Sequence, residues 1–368
     1  MEKTVYGEYS VPPRRASKRH RKNAIKAGSR THLALLIYTS VASLATYAIV
    51  EVLTILFSKE KTAEIIANPY VLWGLQVLCM YVIAFPIYFI CTRGLQRPLY
   101  ERKKLKFSEF TATFFISCAV MIIGSLISQL ISLIVTLYTG DIPDNTLNAA
   151  VVGTPIWLLI LVVVIIGPIF EELIFRKILL DRLSVYGDRL AIAVSAISFG
   201  LFHGNINQLI YATGLGIILG YLYTRTRNVI YPILMHMLIN FIGSVPSAML
   251  MPKVEKLDEM YAALGEGEAL TGADALFEMQ VSLETLLVAA MQYGFAIVGF
   301  ILFIVLTASR KYKFPSGCMV KLPRYTRFRA FFFNFGFILF LLFSILTIAL
   351  NTFPTLAEDI ARMILEVI

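Results

Sequence analysis

Apolar runs of about 20 residues alternate with short polar stretches along most of the chain, and a run of this length spans the hydrocarbon core of a bilayer as an α-helix. The pattern predicts an all-α, polytopic membrane bundle of nine spans, with eight as the alternative. The predicted spans cover approximately residues 32–57, 70–92, 110–138, 155–183, 190–204, 208–224, 229–250, 284–308 and 330–350.

Composition agrees with an integral membrane protein. Hydrophobic residues make up 58% of the 368 residues, charged residues only 15%, and the mean hydropathy is +0.74. A soluble domain typically has about 25% charged residues. The cysteines show no CxxC spacing, which argues against both a disulfide framework and a thiolate zinc site. They are Cys79, Cys91, Cys118 and Cys318.

The net charge of +9 comes from basic residues between the hydrophobic runs. This distribution indicates membrane topology, and nucleic acid is not an expected partner. Basic and acidic loops alternate, so we expect a cytoplasmic N-terminus and, with nine spans, an external C-terminus. We also expect a plasma-membrane location. About thirty mostly polar residues precede the first apolar run, a pattern unlike that of a cleavable signal peptide.

The pattern divides the chain into five regions. We expect a basic cytoplasmic tail, N-terminal transmembrane helices, a transmembrane core that carries the intramembrane polar residues, an external acidic loop, and C-terminal transmembrane helices that end in an amphipathic segment. The corresponding ranges are 1–31, 32–150, 151–250, 251–283 and 284–368.

Two adjacent acids, Glu171 and Glu172, interrupt the apolar fourth span. Charge at bilayer depth is costly and is a sign of function. Glu172 and Arg176 are four residues apart, so they share a helix face and can form an ion pair. Glu171 points about 100° away from that face, given 3.6 residues per turn. The spacing predicts that Arg176 holds Glu172, whereas Glu171 is freer to act on a water molecule.

Gly167-Pro168 precedes these acids. In an α-helix, proline removes the hydrogen bond to the carbonyl four residues back, here Val164, and tends to kink the helix. Such backbone is tolerated in a membrane where it lines a cavity or packs on other helices. Farther along, Gly216 and Gly220 form a small-xxx-small pattern that predicts close helix packing.

Further polar groups lie on the later spans. Phe199 and His203 share one helix face, and His236 and Asn240 share another, since each pair is four residues apart. With a rise of 1.5 Å per residue, Glu171, His203, His236 and Asn240 fall at depths of about 12–21 Å from the cytoplasmic helix ends. We therefore expect one polar site within the membrane. Gln129, on the third span, is interpreted as a partner in an interhelical hydrogen bond, with a place in the lining of a cavity as the alternative.

At these positions the chain resembles the CAAX prenyl endopeptidase and bacteriocin-processing family of intramembrane proteases, also called the Abi family. The EExxxR motif of that family corresponds to residues 171–176, its FxxxH motif to residues 199–203, and its HxxxN motif to residues 236–240. Each motif alone is weak, but the three occur in order on separate apolar segments. The resemblance covers roughly residues 150–245.

The resemblance implies a helical membrane enzyme that hydrolyses a peptide bond of a membrane-associated protein or peptide without a covalent enzyme intermediate. Glu171 would be the general base that activates water, assisted by His203. His236 and Asn240 would form the oxyanion hole, and Glu172 and Arg176 would orient the base. No metal and no cofactor are implied.

Three other classes of protein compete with this interpretation. Two histidines and a glutamate are also potential zinc ligands, although the chain lacks an HExxH pair on one helix. The same core would serve a non-catalytic immunity or regulatory protein that binds a peptide partner. A transporter also uses broken helices and buried charge, but its halves are usually related by a repeat, and none is obvious here.

Overall fold

The structure is a computed structural model that describes residues 14–15, 17–95, 101–140, 153–264, 269–309, 317–353 and 355. It is almost entirely helical within these ranges. The helices are α1 (Lys18–Phe57), α2 (Lys59–Ala67), α3 (Pro69–Thr92), α4 (Phe107–Thr139), α5 (Ile156–Ser184), α6 (Asp188–Phe202), α7 (Ile206–Thr226), α8 (Ile230–Ala262), α9 (Ala273–Ala308), α10 (Arg324–Phe331) and α11 (Phe335–Thr352).

Eight of these helices are long and apolar enough to cross a membrane, which confirms the predicted helical membrane protein. The predicted fifth span is the exception, because α6 has only 15 residues. At 1.5 Å per residue it is about 22 Å long, shorter than the roughly 30 Å hydrocarbon core. Strand β1 (Arg14–Arg15) pairs in parallel with β2 (Val320–Lys321). This short ladder ties the start of the chain to the segment before α10.

Several helices extend beyond the apolar runs that predicted them. Helix α1 begins at Lys18, inside the range expected to be a tail. The range 251–283, expected to be a loop, is mostly helical because α8 and α9 continue into it. A hydropathy pattern does not predict these helix ends, because their residues are polar. The ends of α8 and α9 are stabilised by contacts with each other, in which Lys253 pairs with Glu284 and Tyr261 with Glu278. The predicted amphipathic segment at 356–368 lies outside the described residues, as does residue range 141–152.

Glycines set the closest helix contacts. A Cβ on Gly216 would lie 2.9 Å from the Cα of Ala196, so α7 packs directly on α6, as the small-xxx-small pattern predicts. A Cβ on Gly299 of α9 would collide with the backbone carbonyl of Phe115 on α4. Backbone cannot move aside as a flexible side chain can. These positions therefore require glycine for the bundle to close around its polar interior.

We predict that Gly299→Ala lowers stability, whereas Gly294→Ala on the same helix does not. The first substitution overpacks a backbone contact, which typically costs about 1–3 kcal/mol. A Cβ at Gly294 meets nothing within 4 Å, and alanine favours a helix over glycine. Thermal unfolding of the two variants in detergent measures the difference. Equal stability of the two proteins would contradict the packing described between α4 and α9.

Candidate active site in the membrane

Helix α5 carries both acids and changes from α-helical to π-helical winding on either side of them. Residues Ile160–Ile166 and Leu173–Leu180 are π-helical, with hydrogen bonds to the fifth residue back, and Gly167 donates to Val162 in this register. Pro168 would therefore face the carbonyl of Val163, not of Val164 as the α-helical spacing predicted. Proline has no N–H to donate to this carbonyl. Asn240 donates in its place, from Nδ2 to the Val163 carbonyl at 2.9 Å. The π-helical turns thus dock α5 onto α8 beside the acids.

Glu172 is the centre of a buried polar cluster. Its Oε1 lies 3.0 Å from Nη1 of Arg176 and 3.0 Å from Nδ1 of His236. Glu172 and Arg176 are fully buried. The predicted ion pair is present, and Glu172 also contacts His236, a contact that helical spacing alone could not reveal because it joins α5 to α8. The cluster holds His236 in a fixed orientation.

Phe199 packs against the charged and imidazole groups of the site. The Arg176 guanidinium lies 4.5 Å from the centre of its ring, a favourable cation–π geometry. The rings of His203 and His236 meet the Phe199 ring edge to face at centroid distances of 4.9 and 5.7 Å. The phenyl ring thus separates the two imidazoles and shields the guanidinium.

His203 is at the tip of the α6–α7 hairpin, where its Nδ1 lies 2.7 Å from the Phe199 carbonyl. Two asparagines fix the backbone of this tip. Asn205 caps α7 and donates to the His203 carbonyl, and Asn351 of α11 donates to the Gly204 carbonyl at 2.9 Å. Gly204 has φ +68°, a conformation that glycine adopts without strain. The position of His203 therefore depends on the last transmembrane helix.

A cavity of about 1310 Å³ lies inside the bundle, and Glu171, His203, His236 and Asn240 all line it. Glu172 and Arg176 lie behind its wall and are not among its lining residues. The Glu171 side chain is 18% exposed, and its Oε2 is 3.7 Å from Nε2 of His236, too far for a direct hydrogen bond. The structure thus separates the two acids, one facing the cavity and one buried with a cation, as the spacing predicted.

Residues outside the three motifs also line the cavity or connect the helices around it. Tyr81 of α3 lines the cavity, and its ring stacks on Phe170 at 4.4 Å. Gln129 lines the cavity, which was the alternative to an interhelical hydrogen bond. His32 is fully buried and its Nε2 lies 3.2 Å from the Ser198 hydroxyl, a contact that connects α1 to α6. No motif signalled these three residues, since their placement follows from long-range packing.

The described residues include no group of three His, Cys, Asp or Glu side chains arranged to hold a metal ion. Instead, a carboxylate, two imidazoles and a carboxamide meet at one wall of a large cavity inside a helical membrane protein.

The core that carries the three motifs is similar to known proteins. Residues 152–242 match the family model described as type II CAAX prenyl endopeptidase Rce1-like. The matched range contains all three motifs and helices from α5 into α8. This core is therefore similar to the family that the three motifs indicated.

Two relatives carry peptidase names. The chain is 34% identical over 102 residues to the putative membrane peptidase YdiL of Bacillus subtilis (strain 168), an alignment that covers 27% of this chain and 42% of YdiL. It is 31% identical over 121 residues to the membrane-embedded CAAX protease MroQ of Staphylococcus aureus (strain USA300), over 30% of this chain and 49% of MroQ. The chain therefore spans less than half the length of these curated relatives. No solved structure is significantly similar to it.

We predict that Arg176→Ala destabilises the protein and partly impairs any activity of the site. Removing the guanidinium leaves the Glu172 charge buried beside His236 without its cation, and breaking a buried pair typically costs about 3–5 kcal/mol. Lys177→Ala is the matched control, because the Lys177 side chain is 48% exposed and its partner Asp181 is outside the site. Thermal unfolding in detergent tests both variants. A wild-type melting temperature for Arg176→Ala would mean that the ion pair does not form.

Proposed function

We propose that this protein is an intramembrane endopeptidase that hydrolyses a peptide bond of a membrane-associated protein or peptide by activated water. The observation that carries the proposal is that the two acids lie in different environments. Glu172 is neutralised by Arg176 and holds His236, whereas Glu171 faces the cavity without a direct hydrogen bond to His236. The match of residues 152–242 to a CAAX endopeptidase family model and two relatives with peptidase names support the same reaction class.

In the proposed mechanism Glu171 is the general base. Its carboxylate takes a proton from a water molecule placed between it and His203, and the hydroxide formed attacks the carbonyl carbon of the scissile bond. The proton then passes to the amine that leaves. Wall residues with amide or imidazole N–H groups stabilise the oxyanion at that point. No covalent bond between enzyme and substrate is formed.

His236 and Asn240 are the proposed oxyanion donors. His236 contacts Glu172 through Nδ1, and its Nε2 lies on the other side of the ring, toward Glu171 and the cavity. Nε2–H of His236 would donate to the oxyanion from there. Asn240 has two amide hydrogens, one of which is used on the Val163 carbonyl. The second is available to the substrate. Arg176, Glu172 and Phe199 are positioning residues, since they contact the reacting groups from behind the cavity wall.

We predict that Glu171→Gln abolishes peptide hydrolysis and that His203→Ala does the same. Glutamine keeps the size of the side chain but cannot accept the proton from water. Glu101→Gln makes the same chemical change on an exposed loop residue and should retain wild-type turnover. The measurement is cleavage of a membrane-associated peptide library by purified protein, with folding checked by size-exclusion chromatography. Wild-type turnover by Glu171→Gln on a substrate that the parent cleaves would refute the assignment.

The same assay separates the glutamate mechanism from a zinc enzyme. We expect cleavage to survive a chelator, because the proposed water activation uses only carboxylate and imidazole. Loss of cleavage on chelation, together with stoichiometric metal in the purified protein, would instead support the zinc interpretation. Peptides that co-purify with a protein unable to cleave them would favour the peptide-binding alternative.

We further predict that Asn240→Ala lowers kcat by about 10²–10³, the usual effect of removing one oxyanion donor. KM should change less, since the lost interaction strengthens only in the transition state. Glu255→Ala is the control on the same helix, because Glu255 is exposed and does not line the cavity. Steady-state kinetics on one peptide give both constants. A change confined to KM would assign Asn240 to substrate binding.

A further inference from the structure

The ends of the helices divide the molecule into two faces. At one face, here called the basic face, lie the start of α1 at Lys18, the end of α5 at Ser184 and the start of α10 at Arg324. Exposed cations are concentrated there. They include Lys18, Arg19, Arg21, Lys22, Lys26, Lys321, Arg324 and Arg329. By the positive-inside rule this face is cytoplasmic.

On α4 and α5 the cavity lies far from the basic face. On α5 its lining runs from Glu171 back to Val162, which places it about 20–33 Å from Ser184 at 1.5 Å per residue. On α4 it includes Met121 to Gln129, about 21–33 Å from the start of that helix. Ile66 of α2 also lines the cavity, and α2 joins α1 to α3 at the opposite face.

The basic end of the bundle is filled. Leu179, Leu183, Tyr186, Leu322 and Phe331 belong to one buried apolar core at this level.

Polar contacts reinforce this closed end. Arg227, at the end of α7, pairs with the buried Asp188 at the start of α6 at 2.8 Å. The Asp188 backbone in turn donates to the Gly317 carbonyl. Burial raises the pKa of the Asp188 carboxyl, and the adjacent Arg227 offsets part of that shift. The segment before β2 is thereby held across the basic end.

From this asymmetry we propose that substrates reach Glu171 from the face opposite the basic face, which is the extracytoplasmic face. The nature of the substrate, a peptide segment, rests on the proposed function. The direction of access rests only on the positions of the cavity and of the filled basic end. Because α6 is short, its tip at His203 forms the floor of the cavity, and the longer helices around it form the walls. The substrate class that fits is a membrane peptide whose scissile segment emerges on the extracytoplasmic side.

The lining of the cavity fits an extended peptide. Away from the catalytic wall it presents amide and hydroxyl side chains from several helices, among them Ser125, Gln129, Asn207, Gln208, Gln292 and Ser344. A peptide that unwinds within a membrane exposes backbone N–H and C=O groups that must be satisfied there. Neutral donors and acceptors meet this need without selecting for substrate charge.

The test is labelling by a membrane-impermeant thiol reagent in sealed vesicles of known orientation. Ser247→Cys and Gln129→Cys place a thiol in the cavity, and Lys22→Cys places one on the basic face. Each is made in a protein whose four native cysteines are replaced by serine. We expect reagent added outside to modify Ser247→Cys and Gln129→Cys only in the vesicle orientation that protects Lys22→Cys.

Modification of the cavity thiols from the same side as Lys22→Cys would overturn the proposal. The proposal would also be overturned if the cavity thiols were protected in both vesicle orientations but became reactive in detergent. Since labelling needs no catalysis, these outcomes are independent of whether the protein is a peptidase. In a second arm, the parent and Glu171→Gln are given an impermeant peptide on either side. Glu171-dependent cleavage from the extracytoplasmic side alone is expected, whereas cleavage from the basic side would overturn the access route.

Discussion

A buried charge inside a membrane is the constraint on which this structure depends. The Glu172 carboxylate has no exposed surface, so its desolvation must be offset by Arg176 and His236 at 3.0 Å. These contacts require α5 and α8 to meet at a fixed register. They also require Phe199 of α6 to cover the guanidinium. The positions of three helices thus follow from one carboxylate, and the orientation of the groups at the cavity wall follows from the helices.

The irregular winding of α5 serves the same constraint. A regular helix with Pro168 inside it would leave an unpaired carbonyl in an apolar region, which is costly. The π-helical turns move that carbonyl to Val163, where Asn240 can reach it. A residue proposed to stabilise an oxyanion therefore also holds the backbone of the helix that carries the base. Stability and chemistry are coupled at this position, so natural substitutions of Asn240 should be rare among active relatives.

Local spacing predicted much of the site. Glu172 and Arg176 pair because residues four apart share a face, and the depth estimate for His203, His236 and Asn240 agrees with their common cavity. What spacing missed are contacts between distant segments. The Val163 acceptor depends on π-helical winding, which no composition rule predicts. Similarly, Asn351 reaches Gly204 from 147 residues away. Hydropathy found the spans but not the polar helix ends at 251–283, because those residues are stabilised by each other and not by lipid.

The contact between the first and last transmembrane helices affects how the protein is made. A Cβ on Gly336 of α11 would collide with the backbone of Ser29 on α1, so the two helices pack backbone to backbone although 307 residues separate these positions. At about 5–20 residues per second, ribosomal synthesis leaves roughly 15–60 s between them. During that interval the small, flat face of α1 has only lipid, the translocon or a chaperone as a neighbour. Closure of the bundle, and with it the fixing of the His203 tip by Asn351, is therefore an event that follows insertion of nearly the whole chain.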